Sequence, residues 1–211
     1  MLLELPLLLV VALVVALALR LLVVQVFFIP SSSMVPTLAV DDRIVVEKVT
    51  YRFREPQRGE VIVFAGERRV DDWPDDAGPI GRATRWLGEA SGIVPPDPSD
   101  LVKRLIGLPG EEIAVIGGLV HVDGVALGEV YLSGPVASDY GPVTVPEDAY
   151  FFLGDNRRNS ADSRGSLGFV DHDRVIGRAV AVVWPFSNAA SLVGQRPEPV
   201  ADVDVPRPSV G

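Results

Sequence analysis

The sequence predicts a mostly β protein: an antiparallel barrel or sandwich-like domain behind one N-terminal transmembrane helix. Two observations predict the domain. After Pro30 the chain becomes a series of short runs rich in β-branched residues, separated by turn residues, with no strong amphipathic helix. Within that series Asp123-Gly124 lies between "LVHV" and "VAL", the best short-range hairpin signal in the chain. A third observation predicts the helix. The opening "MLLELPLLLVVALVVALALRLLVVQVFFIP" is interrupted only by Glu4, Arg20 and Gln25.

Residues 1–29 are therefore read as a membrane anchor. From Leu5 to Ile29 the segment exceeds the ~20 residues a helix needs to cross a ~30 Å hydrocarbon core. A cleavable leader would begin with basic residues and end in a small-x-small exit; this one carries Glu4 at its start and "VVQVFF" at its end. A buried core helix apolar all round is rare in so small a domain. Orientation is less clear from charge, because Met1 to Glu4 supplies no Lys or Arg to mark a cytoplasmic end. A native start with a basic leader upstream of Met1 is one explanation. Arg20 stands near the other end, within snorkelling reach of headgroups.

Residues 30–190 form the β-rich domain. "RIVVEKV" (Arg43 to Val49) and "EVIVF" (Glu60 to Phe64) flank the turn chemistry of "REPQRGE". "LVKRLI", "EEIAVI", "LVHV" and "AYFFL" follow, and "VIGRAVAVVW" (Val175 to Trp184) is the longest strand candidate. An insert over 66–100 breaks the rhythm. It is rich in Pro, Gly and Asp and reads as loop, with "RATRWLGEA" as a short helix. Its Asp71, Asp72, Asp75 and Asp76 lack the Gly and terminal Glu of a calcium-binding EF-hand loop, so a solvated acidic loop is the better reading. The tail, 191–211, reads as disordered, with four prolines from Gln195 onward.

Composition excludes several functions. The 211 residues carry a formal charge of −9, with 19 basic residues scattered among 28 acidic ones and no basic stripe. That argues against a nucleic-acid partner. The absence of cysteine rules out disulfides, thiolate catalysis and Cys-ligated zinc.

The chemistry concentrates in three places. "IPSSSMVPTL" puts three serines at the end of the apolar segment. A serine hydroxyl becomes a useful nucleophile only when a neighbouring base removes its proton. Of the two histidines, His121 lies mid-strand and His172 in the polar loop "FVDHDRV", and neither sits in a motif that aims it at a serine. Lysine can serve instead if burial lowers its pKa from ~10.4 to ~7–8. The only lysines are Lys48, beside Glu47, and Lys103, in "LVKRLIGLPGEE". On a strand Lys103 shares a face with Leu101 and Leu105, while Arg104 shares the other with Val102 and Ile106. Periodicity does not say which face points inward. An edge strand with two basic residues fits the pattern equally well. Of the two, only a lysine can act as a base. The third place is "FFLGDNRRNSADSRGSLGFV", Phe151 to Val170, whose polar residues suit either an exposed loop or a hydrogen-bonded scaffold.

Taken in order, these segments resemble the bacterial type I signal peptidases, serine peptidases of the Ser-Lys class. "IPSSSMVPTL" follows that family's P-S-x-S-M-x-P-T-L. "DRIVVEK" with "RGEVIVF", "VKRLIGLPGEEI", "GDNRRNSADSR" with "GFV", and "VIGRAVAVVWPF" match its later blocks. The resemblance runs from about Leu5 to Phe186, outside the insert and the tail. It implies Ser33 as nucleophile and Lys103 as general base. Ser31 joins the Ser33 N–H in the oxyanion hole, and Ser160 orients the lysine. Asp155 with Arg104, and Asp162 with Arg164, form ion pairs, with Asn156 and Ser163 in the same framework. Two departures stand out: Ser32, where Gly is common, and Arg158, where Asp or Ser is common.

The resemblance implies a catalytic domain on the extracytoplasmic face of the cytoplasmic membrane, held by one span, that removes signal peptides from secretory preproteins after small-x-small sequences. Its partners are those preproteins and the phospholipid bilayer, and it implies no metal or cofactor. Self-cleaving repressors share such a core but carry a DNA-binding helix-turn-helix in place of an anchor. A tethered domain that binds peptides without cutting them would lack Ser33 or Lys103, and both are present.

Overall fold

The computed structural model describes residues 8, 11, 23–66, 99–132, 134 and 138–200. In chain order its strands are β1 (Val24–Phe28), β2 (Arg43–Glu47), β3 (Val61–Phe64), β4 (Leu101–Gly107), β5 (Glu112–Ile116), β6 (Leu119–Val122), β7 (Val125–Gly128), β8 (Tyr140–Thr144), β9 (Ala149–Leu153), β10 (Val170–Asp171), β11 (Val175–Trp184), β12 (Ala190–Ser191) and β13 (Glu198–Pro199). Three single-turn 3-10 helices lie at Thr50–Arg52, His172–Arg174 and Phe186–Asn188. The mostly β expectation is met.

The strands form two antiparallel sheets. The larger runs β1-β2-β11-β3-β4-β9-β10, with β12 paired to β11, and the smaller runs β13-β7-β6-β5-β8. Asp123 and Gly124 take φ of 51° and 79° at the β6–β7 hairpin, the left-handed pair that a two-residue turn of this kind requires. The large sheet curls because β11 breaks register three times, between Val175 and Gly177, Ala179 and Ala181, and Val182 and Trp184.

Curling covers both faces of the central strands. Val61 and Val63 of β3 pack with Phe27, Met34, Leu38 and Ile44, while Ile62 and Phe64 pack with Leu105, Tyr150 and Phe152. On β9, Phe151 and Leu153 face Ile106, Ile113 and Val115. Strands buried on both sides read as continuous apolar runs, which is why "VIVF" and "AYFFL" show no alternation. β4 lies between β3 and β9 and is buried from Lys103 to Gly107, so the edge-strand alternative does not hold.

Two sequence expectations are corrected. The apolar segment expected as helix to Ile29 becomes a strand at Val24. Val24–Phe28 pair with Glu47–Arg43, with Gln25 and Phe27 turned inward and Val26 and Phe28 outward. β-branched and aromatic residues fit this pleated edge as readily as a helix, and β2 supplies the partner. Leu8, Val11 and Val23 are helical, and no helix among the described residues is long and apolar enough to cross a membrane. The rest of the expected anchor lies outside the described residues.

Over its described residues, 191–200, the tail is ordered. β12 returns onto β11, Leu192 is buried in the core, and β13 pairs with β7. Prolines at 197 and 199 do not prevent this, because an edge strand tolerates a missing donor. Most of the insert, including Asp71, Asp72, Asp75 and Asp76, lies outside the described residues. Its two ends meet where the Gly66 N–H donates to the Ser99 carbonyl at 3.1 Å.

Candidate active site

The serine turn is held from below by its own apolar residues. Met34 and Leu38 are buried in the core of the large sheet, and the Leu38 N–H donates to the Met34 carbonyl at 2.9 Å. Asp42 closes the loop by accepting from the Ala39 N–H at 2.8 Å, while its backbone carbonyl accepts from Ile29 at 2.9 Å. The run Ser31–Ser33 is thereby presented above the core. The Ser31 and Ser33 hydroxyls lie 3.3 Å apart.

Lys103 reaches this turn from β4. Its Nζ donates to Ser33 Oγ at 2.8 Å and to the Val102 carbonyl at 3.0 Å. Only 4% of the residue is exposed. Burial pushes its pKa below the ordinary lysine value, against the opposing pull of Asp162 and Asp155.

Arg104 points to the opposite side of the strand, as the two-residue period dictates. It is fully buried and grips Asp155 with two bonds, Nε to Oδ1 at 2.8 Å and Nη2 to Oδ2 at 2.6 Å. Its Nη1 donates to the carbonyls of Gly59 at 2.7 Å and Gln195 at 3.0 Å, and the Tyr131 ring lies 3.7 Å from the guanidinium carbon. Thr37, four residues beyond Ser33, donates to Asp155 Oδ2 at 2.5 Å. The acid therefore ties the serine turn to β4.

The polar segment after β9 is scaffold. Asn156 secures the serine turn twice, its N–H donating to the Ser33 carbonyl and its Nδ2 to the Ser32 carbonyl, both at 3.0 Å. Asp162 accepts from Arg164 Nε and Nη2, both at 2.9 Å, and from the Gly154 N–H at 3.2 Å. The Ser163 hydroxyl accepts from the Phe152 N–H at 2.9 Å. Gly154 is squeezed in the middle: a Cβ there would stand 2.2 Å from Ser160 Oγ and 2.5 Å from the Ser33 carbonyl oxygen.

Both expected ion pairs are present, and Ser33, Ser31, Lys103 and Asn156 are brought together. Ser160 differs from expectation. It packs against Gly154, but its Oγ is buried without a hydrogen-bond partner, so no bond to Lys103 is formed. Of the two departures, Ser32 uses its hydroxyl to accept from Asn159 Nδ2 at 3.1 Å, and Arg158 is exposed. The histidines play other parts. His121 is buried on β6 with Nδ1 3.1 Å from the Leu119 carbonyl, and His172 stacks on Tyr150 with ring centroids 4.2 Å apart.

Sequence reasoning missed Thr37, Tyr131, Gln195, and the pair Arg157–Glu129, which is buried and joined at 2.5 and 2.7 Å. Thr37 and Arg157 stand inside quoted motifs. Glu129, Tyr131 and Gln195 carry no local signal, because only the fold brings them to β4 and to the segment after β9.

Comparison with known proteins shows the family. A family model described as "Signal peptidase, peptidase S26" matches residues 2–184. The probable signal peptidase I-2 of Synechocystis sp. is 41% identical over 190 residues, covering 90% of this chain and 77% of that protein. The signal peptidase I of Leptolyngbya laminosa is 41% identical over 179 residues, covering 85% and 78%. A solved signal peptidase I from Enterococcus faecalis is 29% identical, with a TM-score of 0.41 over 59% of this chain and 97% of that one. The chain is a serine endopeptidase. It belongs to the signal peptidase family, peptidase S26.

Proposed function

We propose that this chain removes N-terminal signal peptides from secretory preproteins after small-x-small sites, with Ser33 as nucleophile and Lys103 as general base. The observation that carries this reading is the 2.8 Å contact between Lys103 Nζ and Ser33 Oγ, made by a lysine whose burial favours its neutral form. In its neutral form Lys103 accepts the Ser33 proton as Oγ attacks the scissile carbonyl carbon. The carbonyl π pair moves onto oxygen, where the Ser33 N–H and the Ser31 hydroxyl are the donors at hand. Collapse of the tetrahedral adduct breaks the C–N bond, and Lys103 delivers its proton to the departing amine, the new N-terminus of the mature protein. Water, deprotonated by the same lysine, then attacks the acyl-Ser33 ester; the ester C–O bond breaks, Lys103 returns the proton to Ser33 Oγ, and the signal peptide leaves with a free carboxyl group. The framework of Arg104, Asp155, Asn156, Asp162, Ser163 and Arg164 holds the two reacting groups in register, and Ser160 lies beside them as a support.

The reading includes location. An apolar segment preceding β1 would tether the catalytic domain to the extracytoplasmic face of the cytoplasmic membrane, in contact with phospholipid, where a preprotein's own apolar segment is still embedded. The test is cleavage of a preprotein with an Ala-x-Ala site, in detergent with phospholipid, by wild type and Lys103→Ala. Cutting after the second Ala by wild type alone is expected. Equal cutting by both places the base elsewhere and overturns the mechanism.

A further inference from the structure

Gln195 is attached to the catalytic framework although it lies beyond the motifs that define it. From β11 the chain turns at Phe186–Asn188, returns as β12, buries Leu192 beside Met34 and Leu38, and crosses to the small sheet as β13. Between Leu192 and Val200 every residue is exposed or half-exposed, so burial of its own side chains does not explain why this strap lies where it does. Its contacts with the catalytic strand do.

Arg104 has five N–H protons and, being fully buried, needs an acceptor for each. Asp155 takes two and the Gly59 carbonyl one. Those left meet Gln195, whose backbone carbonyl lies 3.0 Å from Nη1 and whose Oε1 lies 3.3 Å from Nη2, the latter shared with Thr37 Oγ1 at 3.2 Å. The facing wall is shaped to receive the strap. Gly59 has φ of 89°, and a Cβ there would stand 2.6 Å from Pro197 Cδ and 2.9 Å from Arg196 Cα. Next to it Arg196 Nη2 donates to Gln57 Oε1 at 2.5 Å.

We propose that the C-terminal strap, residues 189–200, is a positioning element of the active site, and that Gln195 is the residue through which it acts, by completing the hydrogen bonding of Arg104 and so fixing the Arg104–Asp155 pair behind Lys103. The proposal rests on the Ser33–Lys103 reading above. Asp155 is one of two carboxylates whose pull on Lys103 opposes desolvation, and Arg104 offsets its charge. An Arg104 freed from Gln195 holds Asp155 less firmly, which strengthens that pull and loosens the Thr37 tie to the serine turn.

The test compares full-length wild type, Gln195→Met, Gln195→Glu and Lys103→Ala on the same preprotein in detergent and phospholipid. Removing the side-chain acceptor in Gln195→Met lowers kcat about ten-fold with KM little changed, as misplacement of a reacting group does. It also moves the acid limb of the kcat profile upward by roughly half a pH unit. Gln195→Glu, which keeps an acceptor at the same reach, restores most of kcat. A merely structural strap moves none of these readouts, only the unfolding temperature. If Lys103→Ala is inactive while Gln195→Met keeps wild-type kcat and pH profile, the strap proposal falls and the dyad reading stands. If Lys103→Ala cuts like wild type, the dyad reading falls and takes the proposal with it. Each result is read beside a thermal unfolding curve, and the point variants decide the matter even if a chain truncated at Asn188 fails to fold.

Discussion

Lys103 and Arg104 are neighbours on β4, both buried, and are used in opposite ways. Arg104 is bound side-on by Asp155 at 2.6 and 2.8 Å, whereas Lys103 hydrogen-bonds a hydroxyl and a carbonyl, neither of them charged. A buried cation with a bidentate carboxylate stays charged; one with neutral partners is driven toward its neutral form. The alternation of one strand thus separates a cation paired with a carboxylate from a lysine set against Ser33.

Replacing Lys103 tests its proposed role as the base. Lys103→Ala is expected to lower kcat by at least about 10³-fold, the usual loss when a nucleophile's base is removed. Lys103→Arg should be equally inactive, since a guanidinium does not give up its proton in this pH range. Steady-state cleavage of a preprotein measures both. An arginine variant within about ten-fold of wild type would show that charge, not proton transfer, is what the position supplies.

The lowered pKa of Lys103 also has consequences for stability. Its folded-state pKa lies below the unfolded ~10.4. Between these values the unfolded chain binds the extra proton, so stability rises with pH across that window. Below the folded pKa the full penalty of burying the group is present. Lys103→Met, which is uncharged at every pH, should therefore be more stable than wild type at neutral pH. The advantage should shrink as pH climbs through the lowered pKa toward 10.4. Urea unfolding of both proteins across that range reads it, and a constant difference would sink the idea.

Asp155→Ala leaves Arg104 buried, charged and without its main partner. Both side chains are completely shielded from solvent, and breaking such a pair costs about 3–5 kcal/mol. The expected readout is a lower urea midpoint with little change in slope. Asp155→Asn, which keeps the shape and one acceptor, should lose less.

Gly154→Ala places a methyl group between Ser160 and the Ser33 carbonyl, at 2.2 and 2.5 Å before relaxation. The serine turn has to move, and a displacement of this kind costs about 10²-fold in kcat. Stability should fall by only about 1–3 kcal/mol, the range for a small overpacking. Activity within two-fold of wild type, with the protein folded, would mean that the turn yields without disturbing the nucleophile.

Ser31→Ala removes a hydroxyl 3.3 Å from Ser33 Oγ. If Ser31 stabilises the developing oxyanion, kcat falls about 10²–10³-fold and KM hardly changes. A rise in KM alone would assign it to substrate binding instead.

Much of this protein is legible in one dimension. Periodicity and turn chemistry place β2 to β6, β9 and β11 within a residue or so, and the Asp123-Gly124 hairpin folds as its dipeptide dictates. The strands missed are β1, β8, β10, β12 and β13, short strands on or near sheet edges or inside segments with a stronger competing signal. An apolar β-branched run next to a membrane-length segment cannot be told from more helix until a partner strand is known, and a Pro-rich tail cannot be told from disorder until there is an edge for it to join.

The same division runs through the site. Histidine and lysine, the side chains weighed as base for a serine, number two each, and the order of the motifs implies Ser33 and Lys103. Which face of β4 turns its cation to the serines and which to a carboxylate is not a property of "VKRL". It depends on what the curled sheet stacks against each face: the serine turn on one side; Asp155, Thr37, Gly59 and Gln195 on the other. Local residue identity sets the groups available for chemistry and the strands that carry them. Which of those groups are dry, which are paired and which touch is set by the packed fold, because desolvation and hydrogen bonding at a buried atom depend on distant segments, as where Thr37 meets Asp155 from 118 residues away.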